Sequence, residues 1–426
     1  MADSMVRHQR LAMDEKRAVD HAAAAASGSA SPATAALTAG SLGLVLAIFA
    51  ESMLSPAGMH LVAPSLPLMH AEFAGIAQAD ILVPMVITLP GLMIALCAPF
   101  MGTLGDRIGV RPLLIGSTLS YIFLGMLPYW LQSLHLIVAS RFLFGVAESA
   151  LAVCGTPLIA AAFAAGRRQA VIGGRIAFIG LASMGLALCG GWAATFGWRT
   201  AYLLYAFAVV PLILVLAFVP RSVAIVAPEK KEGRQPRQLW AIYGLNILYG
   251  TGIAAVFVYA TFLLKELGIH TPKLAGGLSA ASSFTTVAAA LIYPFAVRRV
   301  GAPILVVASF LLMAAGCATM AIAGGTTGVA AGLVLTAGGM GIFIPTTTEM
   351  LLQYSLPHRR GQATGLGMMS IYLGNFMVPF AMTAMTRSGF TVGDGYAWLS
   401  AAYLVAAVGS VVLARTAFVS HRRVAS

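Results

Sequence analysis

The chain has 426 residues, of which 59% are hydrophobic and 9% charged, against about 25% charged in soluble domains. Lys and Arg outnumber Asp and Glu 26 to 14, a formal net charge of +12. This composition excludes a soluble globular enzyme, and the longest internal soluble stretch, 221–238, is too short for a folded basic domain that would bind nucleic acid.

Taken in chain order, residues 1–36 are a charged stretch, Arg7 to Asp20, followed by an alanine-rich segment. They lead directly into a full apolar run, so they are expected to be a disordered cytoplasmic tail and not a cleavable signal. Twelve apolar runs follow, centred near residues 48, 90, 121, 148, 182, 210, 251, 285, 312, 338, 373 and 407. Ile81–Phe100, Leu113–Leu131, Ala201–Val219 and Gly328–Thr348 carry no charge and approach the roughly 20 residues a helix needs to cross a bilayer core of about 30 Å. A β-barrel would show alternating strands of about 10 residues, whereas these runs are apolar on every face, so helix is the spanning form. The sequence thus predicts an all-α membrane protein with twelve transmembrane helices. Its expected divisions are the tail, a six-helix bundle over 37–220, a cytoplasmic linker over 221–238, a second six-helix bundle over 239–419 and a cytoplasmic tail over 420–426.

Basic residues are retained on the cytoplasmic side. With both termini inside, four lie in the N-terminal tail, two after the second span, three after the fourth, five after the sixth, two after the eighth, two after the tenth and three at the end, 21 of the 26. Arg199, Lys265, Lys273 and Arg387 fall on the other side, and Arg141 lies within a span. The positive charge is therefore an orientation signal, with attraction to anionic membrane lipids as a by-product.

The basic loops also reveal a repeat. An offset of 192 carries Arg107 and Gly109 onto Arg299 and Gly301, Arg167 and Arg168 onto Arg359 and Arg360, Gly173 onto Gly365, and Gly197 onto Gly389. A duplicated six-helix unit is a plan in which two halves rock around a central site.

Between the second and third spans the chain reads Gly102-Thr-Leu104-Gly-Asp106-Arg107-Ile-Gly109-Val110-Arg111. This hairpin resembles the signature loop of the major facilitator superfamily of secondary transporters, with Val110 in place of the first of the paired basic residues. The resemblance covers residues 37–419 and is closest to the twelve-helix drug/proton antiporter branch. It implies a cytoplasmic gate in which Asp106 accepts from a facing helix N-terminus, while Arg107 and Arg111 pair with acids or lipid phosphates. The second-half copy retains Arg299 and Gly301 but lacks the acid; Glu349 and Arg360, near the next basic junction, resemble the family's acid and Arg-Gly pattern there. Gly102, Asp106, Arg107, Gly109, Arg111, Arg299, Glu349 and Arg360 are the expected gate.

Three intramembrane charges are the candidates for proton coupling. Arg141 precedes Gly145 by four and Glu148 by seven in the fourth span, so Arg141 and Glu148 share a helix face; the segment resembles the family's second motif, with Phe144 where Gln is common. An ionisable group in hydrocarbon costs at least about 2.5 to 3.5 kcal/mol on insertion scales, so each needs a partner or a wet cavity. Glu51 is the expected partner of Arg141, because a first span ending near Met59 places both roughly 10 to 12 Å below the outer surface. Acids on the first helix of some drug exporters serve in coupling, and Glu51 resembles them in placement. The alternative is a fixed ion pair that only holds two helices together.

The fifth span keeps Gly190 and Gly191 but has Leu186 and Ala187 where the family's antiporter signature has Gly and Pro, so export rests on the general resemblance, including the Pro64-Ser-Leu-Pro67 turn. If the family arrangement holds, Asn246, Tyr249, Phe257, Tyr259, Tyr372, Asn375 and Phe376 offer aromatic faces and amides to an amphipathic small-molecule substrate, within an adaptable lining that 20 Met residues permit. The four cysteines are isolated and the eight histidines show no metal-ligand spacing, so no metal and no cofactor are expected. No phosphate-cradling loop is present. The expectation is a monomeric, proton-coupled efflux carrier of a bacterial inner membrane, with a proton-coupled importer or a non-transporting sensor as alternatives. An intramembrane hydrolase would need a paired nucleophile and base, which the spans lack.

Overall fold

The computed structural model describes residues 42–163, 165–221, 236, 238–356 and 359–424. The expected N-terminal tail, most of the linker and the last two residues lie outside this set. Among the described residues there is no strand. Eleven helices are long and apolar enough to cross a membrane: α1 (Leu42–Glu72), α2 (Ala79–Ile108), α3 (Val110–Tyr129), α4 (Leu134–Ala162), α5 (Ala165–Ala193), α6 (Thr200–Phe218), α7 (Gln238–Glu266), α8 (Pro272–Val300), α9 (Ala302–Ala321), α10 (Thr326–Tyr354) and α11 (Arg360–Arg387). A further helix, α12, runs over Val392–Val424. Every predicted centre falls inside one of these helices.

The internal repeat is visible in the backbone. Displaced by 192, Val110–Tyr129 becomes 302–321 and Leu134–Ala162 becomes 326–354, which are the bounds of α9 and α10. The turns repeat as well. Gly109, with φ 91° and ψ 153°, closes the α2–α3 turn, and Gly301, with φ 81° and ψ 156°, closes α8–α9. Only glycine adopts this backbone without strain, so the offset seen in the sequence is an offset in required geometry.

α1 is longer than the sequence suggests. The run does not stop near Met59; it passes through a 3-10 turn at Ala63–Ser65 and continues as helix from Leu66 to Glu72. Pro64 and Pro67 are the second residues of these two turns, still within a first turn, where the missing N–H has no intrahelical partner to lose. Its counterpart α7 is irregular at the displaced position, with a π-helical turn over Ala255–Tyr259. The two irregular stretches meet, since the ring of His60 stands edge-on to Phe257 at 4.7 Å.

Alternating helix direction gives the bundle two ends. The basic end carries the α2–α3, α4–α5, α8–α9 and α10–α11 junctions; there Phe218 of α6 packs over Gly43 of α1, and Arg111 donates to the Leu216 carbonyl at 2.6 Å. At the opposite end each half ties its first helix to its last. Glu72 of α1 accepts from Trp198 Nε1 at 2.6 Å and from Arg199 at 2.7 Å, just before α6, while Glu266 of α7 accepts from the Val392 backbone N–H at 3.1 Å, opening α12.

Candidate functional site

The two halves of the chain meet unequally along their length. At the end opposite the basic loops, Thr383 of α11 donates to the Asp80 carbonyl at 3.2 Å and Arg387 to the Ala77 carbonyl at 3.1 Å. Gly191 of α5 and Gly276 of α8 face each other so closely that a Cβ on Gly191 would stand 2.8 Å from the Pro272 carbonyl oxygen. Between the halves at this sealed end remains a crevice of about 390 Å³ bordered by His70, Asp80, Tyr259, Lys265, Glu266 and Arg387. Toward the basic end, Gly173, Gly361 and Gly365 have open space where a Cβ would stand. Asp106, Arg107, Arg298, Arg299 and Arg360 are exposed.

Among the described residues no hydrogen bond or ion pair joins the α2–α3 hairpin to the second half. Gly102 has open space beside it, Asp106 and Arg107 face outward, and Arg111 is bonded within its own half. Glu349, also exposed, accepts a hydrogen bond from the Tyr293 hydroxyl of α8.

The proton-coupling candidates occupy three depths. Arg141 of α4 is 1% exposed. It donates to the Leu124 carbonyl of α3, and its guanidinium carbon lies 4.6 Å from the Phe144 ring centre, 5.5 Å from Tyr202 and 6.0 Å from Tyr205. Aromatic faces surround this buried charge, and Glu148, two turns along α4, is the carboxylate within its electrostatic reach. Glu51 is not its partner. Because α1 extends to Glu72, Glu51 lies nine residues from the start of α1 at the basic end, whereas Arg141 lies seven residues into α4 from the opposite end. The cation beside Glu51 is Arg175 of α5, at 4.0 Å. The sequence counts Arg175 among the loop arginines after the fourth span; it stands ten residues inside α5. An arginine followed by a charge-free run to Trp198 was the available signal.

Glu148 sits between these two levels, 3% exposed. Its carboxylate lies against Gly58 of α1, 3.6 Å from where a Cβ would stand. Tyr121 of α3, Tyr205 of α6 and Tyr372 of α11 are within its electrostatic reach. Tyr121 and Tyr205 also donate to the α1 carbonyls of Leu54 and Gly58, at 2.7 and 3.3 Å.

Of the second-half candidates, Tyr372, Asn375 and Tyr249 gather near this level. Tyr372 and Asn375 of α11 lie over Gly91 of α2, and Tyr249 stacks on Phe343 of α10 at 4.6 Å with rings 6° from parallel. Asn246 is nearer the basic end, donating to the Gly367 carbonyl at 3.2 Å with its Oδ1 buried and unpartnered. Phe257 and Tyr259 belong to the π turn at the sealed end. Phe376 packs on Phe380 at 5.3 Å, beside a ring that is 38% exposed. Among the described residues no group of His, Cys, Asp or Glu could hold a metal ion.

A helical bundle whose described helices repeat at an offset of 192 agrees with the sequence comparison, in which a family model described as Major Facilitator Superfamily matches residues 40–379. The chain belongs to that superfamily of transporters. Its fold matches the crystal structure of a D-xylose-proton symporter with a TM-score of 0.73 at 14% identity, over 86% of this chain and 96% of that one. An inward open conformation of the xylose transporter XylE from E. coli aligns with a TM-score of 0.71 at 16% identity, over 86% and 94% of the two chains. At these identities the likeness is one of fold. Among curated relatives, the multidrug resistance proteins MdtG of Salmonella arizonae and Salmonella newport are 32% identical over 109 residues, 25% of this chain and 27% of theirs. The match therefore spans about a quarter of each relative.

Proposed function

We propose that this superfamily member is a proton-coupled exporter of a small amphipathic solute, working as a monomer by rocking its bundles at 37–220 and 239–419 about a central site. The observation that carries this reading is the meeting of the halves around Asp80, Thr383 and Gly191 at one end, with Asp106 and Arg360 exposed at the other and the buried acids Glu51 and Glu148 between. Basic loops are retained in the cytoplasm, so the basic end faces inward and both termini are cytoplasmic, and the membrane proposed is a bacterial inner membrane. In the opposite state the hairpin of Gly102, Asp106, Arg107, Gly109 and Arg111 closes against the second half beside Arg299, Glu349 and Arg360.

Coupling follows from the acids: a carboxylate in a dry site favours its protonated form, and a wet or cation-lined site favours ionisation, so alternating access converts a proton gradient into a change of charge at the centre. Export is supported by the partial likeness to multidrug resistance proteins. The test uses sealed vesicles of both orientations, an imposed proton gradient and a panel of amphipathic fluorescent dyes. Accumulation in inside-out vesicles that an uncoupler abolishes is the expected result. Accumulation only in right-side-out vesicles would make the protein an importer, and stoichiometric dye binding without movement in either would make it a sensor.

A further inference from the structure

The crevice of about 390 Å³ between the halves at the end opposite the basic loops has the size of pockets that hold small ligands. His70 of α1 and Asp80 of α2 border it from the first half; Tyr259, Lys265 and Glu266 of α7 and Arg387 of α11 border it from the second. Its acids are already engaged. Asp80 pairs with His70 Nε2 at 2.7 Å, and Glu266 accepts from the Val392 backbone N–H at 3.1 Å. Its cations are not neutralised in this way: the ion pairs among the described residues, His70 with Asp80, Arg175 with Glu51 and Arg199 with Glu72, include neither. Arg387 donates to the neutral Ala77 carbonyl at 3.1 Å, and Lys265 has no hydrogen-bond or ion partner among the described residues. Tyr259, 6% exposed, has its hydroxyl buried with no hydrogen-bond partner. An unsatisfied buried hydroxyl is a cost to the empty protein, and an acceptor seated in the crevice would remove it. The remaining border includes the apolar side chains of Pro84, Phe262 and Met382.

We propose that this crevice is a binding site for small organic anions, a carboxylate or sulfonate carried on an apolar body. The anionic group accepts from the Lys265 ammonium, the Arg387 guanidinium and the Tyr259 hydroxyl, in charge-assisted bonds about twice as strong as neutral ones. The body lies on Phe262 and Met382. The sign of the charge follows from what is free: a cationic ligand would meet two cations that lack a counter-ion, and would take Asp80 and Glu266 in competition with the bonds they already make. An anion held here touches both halves, so it binds the state in which they meet at this end. Resting on the carrier reading above, this end is the outer face, and the occupied crevice opposes its opening, so the anion inhibits transport from outside.

The probe is phenylbutanesulfonate, which stays ionised and so cannot carry protons through a bilayer, with phenylbutanol and phenylbutylammonium as neutral and cationic forms of the same body. Binding to the full chain in lipid nanodiscs is read by equilibrium dialysis, with empty nanodiscs subtracted. We expect a single saturable class of site that prefers the sulfonate to either control by about tenfold or more, the worth of a hydrogen bond to a charged group. Lys265→Gln and Arg387→Gln should each weaken binding about tenfold, and Tyr259→Phe about threefold. Lys265 also borders a smaller crevice of about 240 Å³ beside Pro64, Leu68 and Ile269, which neither Tyr259 nor Arg387 borders. A loss in Lys265→Gln alone would put the anion there and overturn the assignment. Equal binding of all three probe forms would overturn it too, leaving Lys265 and Arg387 to serve only the C-terminal ends of their helices. Sealed inside inside-out vesicles, whose lumen faces this end, the sulfonate should slow dye accumulation about threefold or more at saturation, and Lys265→Gln should relieve the inhibition. Undiminished accumulation would overturn the inhibitory role. Absence of accumulation without any sulfonate would count against the carrier reading alone, because dialysis judges the site independently of transport.

Discussion

The two halves share a backbone but not a charge distribution. Displacing Glu51, Arg141, Glu148 and Arg175 by 192 gives Tyr243, Leu333, Met340 and Gly367, so at the four equivalent positions the second half holds no formal charge. It offers instead the amides of Asn246 and Asn375 and the stacked rings of Tyr249 and Phe343. Each charge in a membrane carries a desolvation cost of at least about 2.5 to 3.5 kcal/mol, and gathering them in one half lets acids and bases share a neighbourhood. Duplication repeated the scaffold, and the charges of Glu51, Arg141, Glu148 and Arg175 stand in one copy alone.

The comparison can be broken most strongly at Arg141. Its guanidinium fills a space among Phe144, Tyr202 and Tyr205, so Arg141→Ala should leave a cavity costing about 3 to 5 kcal/mol. A fall in thermal unfolding temperature in detergent reads this, and Arg141→Lys should not restore it, because an ammonium lacks the flat face that stacks on rings. A variant as stable as the starting protein would show that the aromatic surround is incidental. Transplanting charge into the second half is the reverse operation. Met340→Glu, at the position equivalent to Glu148 and 3% exposed, should cost about 2.5 to 3.5 kcal/mol, seen as reduced membrane yield and earlier unfolding, with Met340→Gln milder. An unharmed Met340→Glu protein would mean that the second half is as able to house charge as the first.

The smallest effect tests what the halves have in common. Gly109→Ala and Gly301→Ala each place a side chain on a positive-φ residue, so each should cost about 1 to 2 kcal/mol, and by similar amounts despite Ile108-Gly109-Val110 in one turn and Val300-Gly301-Ala302 in the other. Unequal losses in the same unfolding assay would show that one turn is under a constraint the other lacks.

Much of this architecture was legible because its physics is local. Charge-free runs locate the helices, and paired turns such as Gly109 and Gly301 locate the repeat, since a bilayer and a positive φ each demand particular residues at particular places. Side-chain partnership was less legible, because it depends on where helices end and how they rotate. The continuation of α1 through Pro64 and Pro67 moved Glu51 away from Arg141 and toward Arg175. Likewise, nothing in the spacing of Tyr372 distinguishes it from Phe376, four residues along α11; Gly91, nearly 300 residues away, gives Tyr372 its place.

The clasps at the sealed end, Glu72 on Trp198 and Arg199 and Glu266 on Val392, have a mechanical meaning. Each joins the first and last members of a six-helix series, as a hoop closes a row of staves. A row left open would fan under load and dissipate a push delivered at one helix. Hooped, it would turn as a single lever in the proposed rocking, so a small displacement at the centre would arrive at the far rim multiplied by the length of the arm.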